Sequence, residues 1–364
     1  MHAIHCLDQA TSTEPPLQRA GVRPLAAAGA LLIAALVALG VPRAAQASTD
    51  HGPAPLSSSC AGDAGKTINV LHAGSLTSTV QSSLAPEFAT MCGASATDQG
   101  GPAVGLAEGI KDHSLAGDVY MSADAHVNET LMGKANDDWA DWYLAFARNE
   151  EVISYTPKSR FFDELERARR GEIPWYQVLT EPGFVLGRTD PNTDPGGYYA
   201  LFVAQLAERY YKIPGLAKQL LGSDTNPDQL LTSPSYTTTA SGATPDATFG
   251  YLSGAIDKGQ SYITLPAPIN LSQPTMAKEY AKARFTNDQG VAFRGAPIYD
   301  SVTVLNRTSN EQAAIDFVRL LLSPFGHGVL HSRGFLDTPL LVGGKRGSVP
   351  AVLQPYIDGR LPND

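Results

Sequence analysis

From residue 67 onward, short apolar runs alternate with stretches of helical periodicity. Thr67-Ile68-Asn69-Val70-Leu71 is β-branched and apolar and predicts a buried strand. It stops at Gly74-Ser75. Apolar residues then recur at Leu76, Val80, Leu84 and Phe88, which predicts a helix over 76–91. Asp118-Val119-Tyr120-Met121 predicts a second strand, ending at Ser122-Ala123-Asp124, with a helix after it (Val127, Leu131, Met132). Residues 145–149 lead into an extended run at 152–155. Then come a helix over 161–170, a strand at 184–187, a helix over 198–211, a strand at 261–265, an extended segment at 296–305 and a helix over 310–322. Gly100-Gly101-Pro102 and the Ser/Thr/Pro-rich residues 233–245 predict loops.

Strand-helix alternation of this kind predicts α/β architecture with parallel sheets flanked by helices. The extended runs near 148–155 and 296–305 predict two crossovers, hence two lobes joined by a hinge. Ligands of open α/β sheets sit beyond the C-terminal strand ends. Two such lobes facing each other make a cleft lined by helix N-termini.

Composition narrows the possibilities. The chain has 364 residues, 43% hydrophobic and 17% charged, enough for two compact lobes. Its net charge of −9, with no Lys/Arg-rich stripe, argues against a nucleic-acid role and against bulk electrostatic capture of an anion. The N-terminus reads as a targeting segment. Arg19 and Arg23 precede an apolar run from Leu25 to Val41, and Ala45-Gln46-Ala47 is an A-x-A cleavage pattern. We expect a signal peptide over 1–47, the alternative being a membrane anchor. Residues 48–65 are small, polar and Pro-containing, and predict a flexible tether. Loss of Cys6 with the signal leaves Cys60 and Cys92, which in an exported protein pair as a disulfide or remain as two buried thiols.

Three strand-to-helix junctions carry the candidate chemistry. The first offers Gly74 and Ser75, the second Ser122 and Ala123, the third Asp194, Gly196, Gly197 and Tyr198. Asp194 suits a helix cap and Pro195 a first helical position. Free N–H groups and the macrodipole at each helix start favour an anion, and the hydroxyls of Ser75 and Ser122 add directed donors. Each serine also has an ordinary capping role open to it, as does Asp194. His72, beside the first turn, reads as structural. Arg188 is within reach of an anion, although an exposed loop position is the commoner outcome. No G-x-S-x-G elbow, H-E-x-x-H or P-loop lysine occurs, and no carboxylate pair sits in an acid/base context.

Certain motifs give the chain a family resemblance. They are His72-Ala73-Gly74-Ser75-Leu76, Asp118-Val119-Tyr120-Met121-Ser122-Ala123-Asp124 and Trp142-Tyr143 through Phe146-Ala147-Arg148-Asn149-Glu150. Asp190-Pro191-Asn192 with Asp194-Pro195-Gly196-Gly197-Tyr198, Leu265-Pro266 with Ile269-Asn270-Leu271, and Leu322-Ser323-Pro324 extend the set. From about Thr67 to about Pro339 the chain resembles the periplasmic tungstate- and molybdate-binding proteins of ABC importers.

The resemblance implies a two-lobed type II periplasmic-binding-protein fold, each lobe a mostly parallel sheet flanked by helices, with a two-strand hinge. Lobe 1 would comprise 66–147 and 291–364, and lobe 2 148–290. It implies Ser75 and Ser122 on the oxyanion, with Asp194 at the site. A Glu-Tyr-x-Ser-x-Ala pattern in the archaeal branch is matched here by Gly250-Tyr251-Leu252-Ser253-Gly254-Ala255, so Gly250 takes the glutamate's place. That departure favours four-coordinate binding by hydrogen bonds, with Tyr251 as a replacement contact, and leaves sulfate open as the solute. The implied partners are molybdate or tungstate and an ABC permease with its ATPase. No cofactor and no catalysis are implied, the protein being a monomer in the periplasm or at the outer face of the membrane. An exported enzyme or a sensor on the same scaffold is the alternative.

Overall fold

The computed structural model describes residues 60–232 and 236–362, all within one unit, Gly52–Asp364. The expected signal peptide, the first part of the tether and residues 233–235 of the expected loop lie outside the described residues.

The strands are β1 Thr67–Ala73, β2 Ser95–Gly101, β3 Val119–Ser122, β4 Trp142–Arg148, β5 Glu151–Tyr155, β6 Leu186–Gly187, β7 Ala247–Tyr251 and β8 Ser261–Thr264. After them come β9 Arg284–Thr286, β10 Ala292–Arg294, β11 Tyr299–Val304, β12 Leu341–Gly344 and β13 Gly359–Arg360. A seven-stranded sheet runs β13-β12-β4-β11-β3-β1-β2, and a four-stranded sheet runs β6-β7-β5-β8. These two sheets, with helices around them, are the expected two-lobed α/β fold.

Pairing within the sheets is mixed rather than mostly parallel. β2, β1 and β3 are parallel, whereas β3–β11, β11–β4 and β4–β12 are antiparallel. In the smaller sheet only β6–β7 is parallel. The hinge explains much of the difference. The chain leaves the large sheet along β4 and returns along β11, so these neighbours must run in opposite directions. Where they meet the second lobe, the Asn149 N–H donates to the Ile298 carbonyl at 3.2 Å, which ties the two hinge segments together.

Local departures from the predicted elements have identifiable causes. The helix expected over 76–91 is broken: a 3₁₀ turn at Gly74–Leu76, a helical turn at Thr77–Thr79, a π-helical turn at Val80–Leu84, then α1 Ala85–Cys92. Pro86 supplies no N–H to the ladder, and the wider π turn sits just ahead of it. The helix expected after β3 is a 3₁₀ stretch, Ala125–Leu131, in which Asn128 bonds back to the Ala125 carbonyl and Thr130 to the Val127 carbonyl. Local bonds of this kind compete with α-helical ones. Gly100 and Gly101 are the end of β2, paired with His72 and Ala73, not a loop. A side chain at Gly100 would strike the His72 ring, so glycine lets β2 pass close to it.

Residues 60–65, expected as the end of the tether, are anchored at Cys60, Asp63 and Gly65. Cys60 and Cys92 form a disulfide with an S–S distance of 2.10 Å. Asp63 is buried and takes an ion pair from Lys66, and the Gly65 N–H donates to the Gly93 carbonyl.

Three further helices position the site: α2 Ala103–Lys111, α3 Pro195–Tyr211 and α4 Leu252–Asp257. One apolar cluster joins Leu71, Val104, Ile110 and Tyr120 of the large-sheet lobe to Ile153, Phe202 and Leu206 of the other. Burying a side chain of this size is worth about 1.5–3 kcal/mol, so contact between the lobes is itself stabilising.

Candidate functional site

The three junctions flank the seam between the lobes. β1 and β3 are parallel neighbours with His72 opposite Met121, so Gly74-Ser75 and Ser122-Ala123 leave the sheet side by side at the same end. From the second lobe, α3 begins at the same seam: the Gly105 N–H of α2 donates to the Thr193 carbonyl at 3.1 Å. At the far side the Ser78 hydroxyl donates to Asp257 at 2.6 Å, and Arg333 bridges Asp257 and Ser83. The lobes are drawn together around the junctions.

Each predicted residue has a defined place. The Ser75 hydroxyl is enclosed and has no hydrogen-bond partner. Gly74 is exposed, and its carbonyl accepts from the Thr77 hydroxyl at 2.9 Å. Ser122 is fully buried and its hydroxyl is engaged within its own turn, donating to the Asp124 carbonyl at 2.7 Å and accepting from the Asp124 N–H at 3.2 Å. Ala123 is buried in the apolar cluster of the large-sheet lobe.

Asp194 caps α3, its carboxylate accepting from the Gly196 N–H at 2.9 Å, and Pro195 is the first helical residue. Burial pushes the Asp194 pKa up to about 6. The Gly196 N–H and the nearby Thr189 hydroxyl hold it from rising further, and Asp190 adds repulsion. Gly196 lies among Thr189, Asp194 and Tyr251; a Cβ there would sit 3.3, 3.5 and 3.7 Å from their atoms. Gly197 serves packing, since a Cβ would come within 2.6 Å of the 189–191 backbone. The Tyr198 ring stacks on Phe293 at 4.5 Å, and its hydroxyl donates to Asp124 at 2.6 Å. Tyr251 packs against both apolar clusters, and its hydroxyl is buried without a partner. A Cβ at Gly250 would meet nothing within 4 Å.

His72 and Arg188 stay outside this chemistry. His72 is buried with its ring nitrogens 3.0 Å from the Ala73 carbonyl and from Asp98. Arg188 is fully buried rather than exposed. Its guanidinium donates to the carbonyls of Ser223 and Asp224 and to Gln229, which leaves it spent on loop architecture. Burial lowers its pKa to about 10.

The sequence reading missed three groups. Glu151, the first residue of β5, and Asp300, in β11, are both 0% exposed, and none of their four carboxylate oxygens has a partner. Burial, with Asp194 nearby, raises the Glu151 pKa well above its ordinary value of 4.5. Burial pushes Asp300 up to about 8; the charge of Asp124 adds to the rise and the Asn149 amide opposes it. The Thr189 hydroxyl is the third group, enclosed and short of full hydrogen-bond geometry with Asp194. An acidic residue inside an otherwise apolar strand is anomalous, and that signal was available in Glu151-Val152-Ile153 and Tyr299-Asp300-Ser301-Val302.

Two lobes on a two-strand hinge, closed on a seam lined with unpartnered polar atoms, define a solute-binding protein. The chain belongs to the bacterial extracellular solute-binding protein family, whose profile matches residues 68–336. It is 30% identical over 303 residues to the molybdate/tungstate-binding protein WtpA of Pyrococcus abyssi, covering 75% of this chain and 86% of that one. It is also 30% identical over 286 residues to a putative ABC transporter molybdenum-binding protein of Haloferax volcanii, covering 76% and 87%. Among solved structures, the sulfate-binding protein SubI of Mycobacterium tuberculosis superposes with a TM-score of 0.52 at 13% identity, covering 80% of this chain and 90% of that one. That likeness is one of fold. Among the described residues, no single helix is long and apolar enough to cross a membrane.

Proposed function

We propose that this protein captures a tetrahedral oxyanion, molybdate or tungstate, between its lobes and delivers it to an ABC permease. The Ser75 hydroxyl carries the reading. It is closed off at a strand-to-helix junction with no partner in the chain. An enclosed hydroxyl left unpaired costs about 1–3 kcal/mol, which a solute accepting from it offsets. The hydroxyls of Thr189 and Tyr251 are in the same condition.

Neutral donors of this sort suit a doubly charged oxyanion without a proton of its own. Arg188, the nearest arginine in sequence to the third junction, is spent elsewhere, so directed hydroxyls and helix-start amides supply the attraction. The molybdenum and molybdate/tungstate ligands in the relatives' names support the same choice. Gly250, with no side chain, favours hydrogen-bonded four-coordinate binding, with Ser75 and Tyr251 as direct contacts and Asp194 setting the third helix start. Ser122 and Ala123 shape the second.

In this reading residues 66–147 with 291–364, and 148–290, move as two bodies about the hinge, and bound solute favours their closure. The protein works as a monomer in the periplasm or at the outer face of the cytoplasmic membrane. Titration calorimetry of the mature chain with molybdate, tungstate, sulfate and phosphate tests the proposal. Molybdate and tungstate should bind far more tightly than the other two. Sulfate binding at least as tight as molybdate would reassign the solute, and no oxyanion binding would end the reading.

A further inference from the structure

We propose that Glu151 is a further solute-contacting residue, its side chain donating a hydrogen bond to the oxyanion at the seam between the lobes. The inference rests on the reading of the cleft as an oxyanion site.

Glu151 stands immediately past the hinge. Directly opposite it on the neighbouring strand is Tyr251, and such paired residues present their side chains to the same face of a sheet. Both Glu151 oxygens and the Tyr251 hydroxyl are enclosed and unpartnered. Asp194 and Glu151 lie close enough to Tyr251 that each raises its pKa, as do Tyr199 and Asp300. Four orphan polar groups from different parts of the chain, Glu151, Thr189, Tyr251 and Asp300, therefore gather around the start of α3 and the hinge.

The groups facing Glu151 are all acids or phenols. They are Asp194, the cap of α3, Tyr199 of α3 and Tyr251 of β7; the two tyrosines also feel Asp300 of β11. No Lys, Arg or His contributes to its electrostatics. A carboxylate buried there without a counter-charge is strongly disfavoured, so the group keeps its proton. A cation as the missing partner lacks support: among the described residues, no group of three His, Cys, Asp or Glu side chains is arranged to hold a metal ion. A neutral carboxyl group has one O–H to donate. Beside the hydroxyls of Ser75, Thr189 and Tyr251 it makes a further donor, and it puts no negative charge against a dianion.

Ionisation of Glu151 would turn that donor into a repelling charge. Molybdate affinity should therefore weaken, with protons taken up on binding, only where pH is high enough to ionise Glu151 in the free protein. The test uses the mature wild-type chain, Glu151→Gln and Glu151→Ala, titrated with molybdate by calorimetry from pH 6 to 9 in buffers of different ionisation enthalpy. Gln keeps a donor and cannot ionise. Glu151→Gln should bind within roughly threefold of wild type at pH 6 and lose the share of the pH dependence and proton uptake that Glu151 adds to that of Asp194 and Asp300, whereas Glu151→Ala should weaken binding by roughly tenfold or more. Thermal melts of both variants establish that they are folded. If wild type binds molybdate and both variants reproduce its affinity and pH profile, the role of Glu151 is overturned and the oxyanion reading stands. If wild type binds none of the four oxyanions named above, the oxyanion reading itself fails and Glu151 loses its role with it.

Discussion

The hydroxyl of Tyr198, one turn into α3, donates to the carboxylate of Asp124, just past the end of β3, at 2.6 Å across the seam between the lobes. Both groups are buried, and the same carboxylate also accepts from the His126 N–H at 2.9 Å. A buried hydrogen bond of this kind is worth about 0.5–1.5 kcal/mol, and it joins residues of the two lobes. Tyr198→Phe should keep the stack on Phe293 and lose the bridge. We expect a more open solute-free protein, seen as a larger radius of gyration in small-angle scattering, and molybdate affinity lower by about tenfold. Unchanged scattering would remove this bond from the closure mechanism.

Ser75 and Ser122 look equivalent in sequence and differ in the structure. The Ser75 hydroxyl has no partner, whereas that of Ser122 closes its own turn on Asp124. Ser75→Ala should leave the melting temperature of the solute-free protein unchanged or slightly raised and weaken molybdate binding by about 1–2 kcal/mol. Ser122→Ala should do the reverse, costing about 1 kcal/mol of stability through the orphaned Asp124 N–H and changing affinity less. Melting and calorimetry on the two variants separate a solute contact from a turn closure. A loss of affinity confined to Ser122→Ala would exchange the roles.

Much of this architecture was legible because strand and helix periods alternate clearly after Thr67. The capped start of α3 was readable from Asp194-Pro195 alone, since both residues have strong positional preferences. The mixed pairing was not, because strand direction is set by how the hinge strands leave and return, which no local pattern encodes. The broken first helix turned on Pro86 inside an otherwise regular apolar stripe. At the site, junction residues announced themselves through turn chemistry. Glu151 and Asp300 showed only as acids within apolar strands, since their meaning depends on which atoms fail to find partners, a property of the folded chain.

The disulfide pins the start of the described chain to the end of α1, with a sequence separation of 32. Closing a loop of that length removes unfolded-chain entropy worth about 3–4 kcal/mol in the chain-entropy account. Cys60→Ser with Cys92→Ser should lower the denaturation midpoint by a corresponding amount, measured in urea. The site lies on other elements, so molybdate affinity should change by less than about twofold. A collapse of affinity in a folded double variant would tie the disulfide to the cleft.

Asp300 makes the solute-free protein sensitive to pH in a definite direction. Its ordinary pKa is 3.8, and burial raises it to about 8. Between those values the native carboxyl keeps a proton that the unfolded chain has released. Its favourable contribution is therefore complete below the unfolded value and is lost as pH rises through the window from about 4 to 8. A shift of this size corresponds to several kcal/mol, at about 1.4 kcal/mol per unit. Asp194, raised to about 6, and Glu151 act in the same sense. Scanning calorimetry of solute-free wild type should show the melting temperature falling between pH 5 and 8. Asp300→Asn keeps the shape and cannot ionise; it should flatten that slope and melt higher than wild type by more than about 5 °C at pH 8, with little difference near pH 4.5. Parallel pH profiles for the two proteins would mean that Asp300 finds water or a partner in the solute-free state, and the cluster at the hinge would lose its strongest electrostatic constraint.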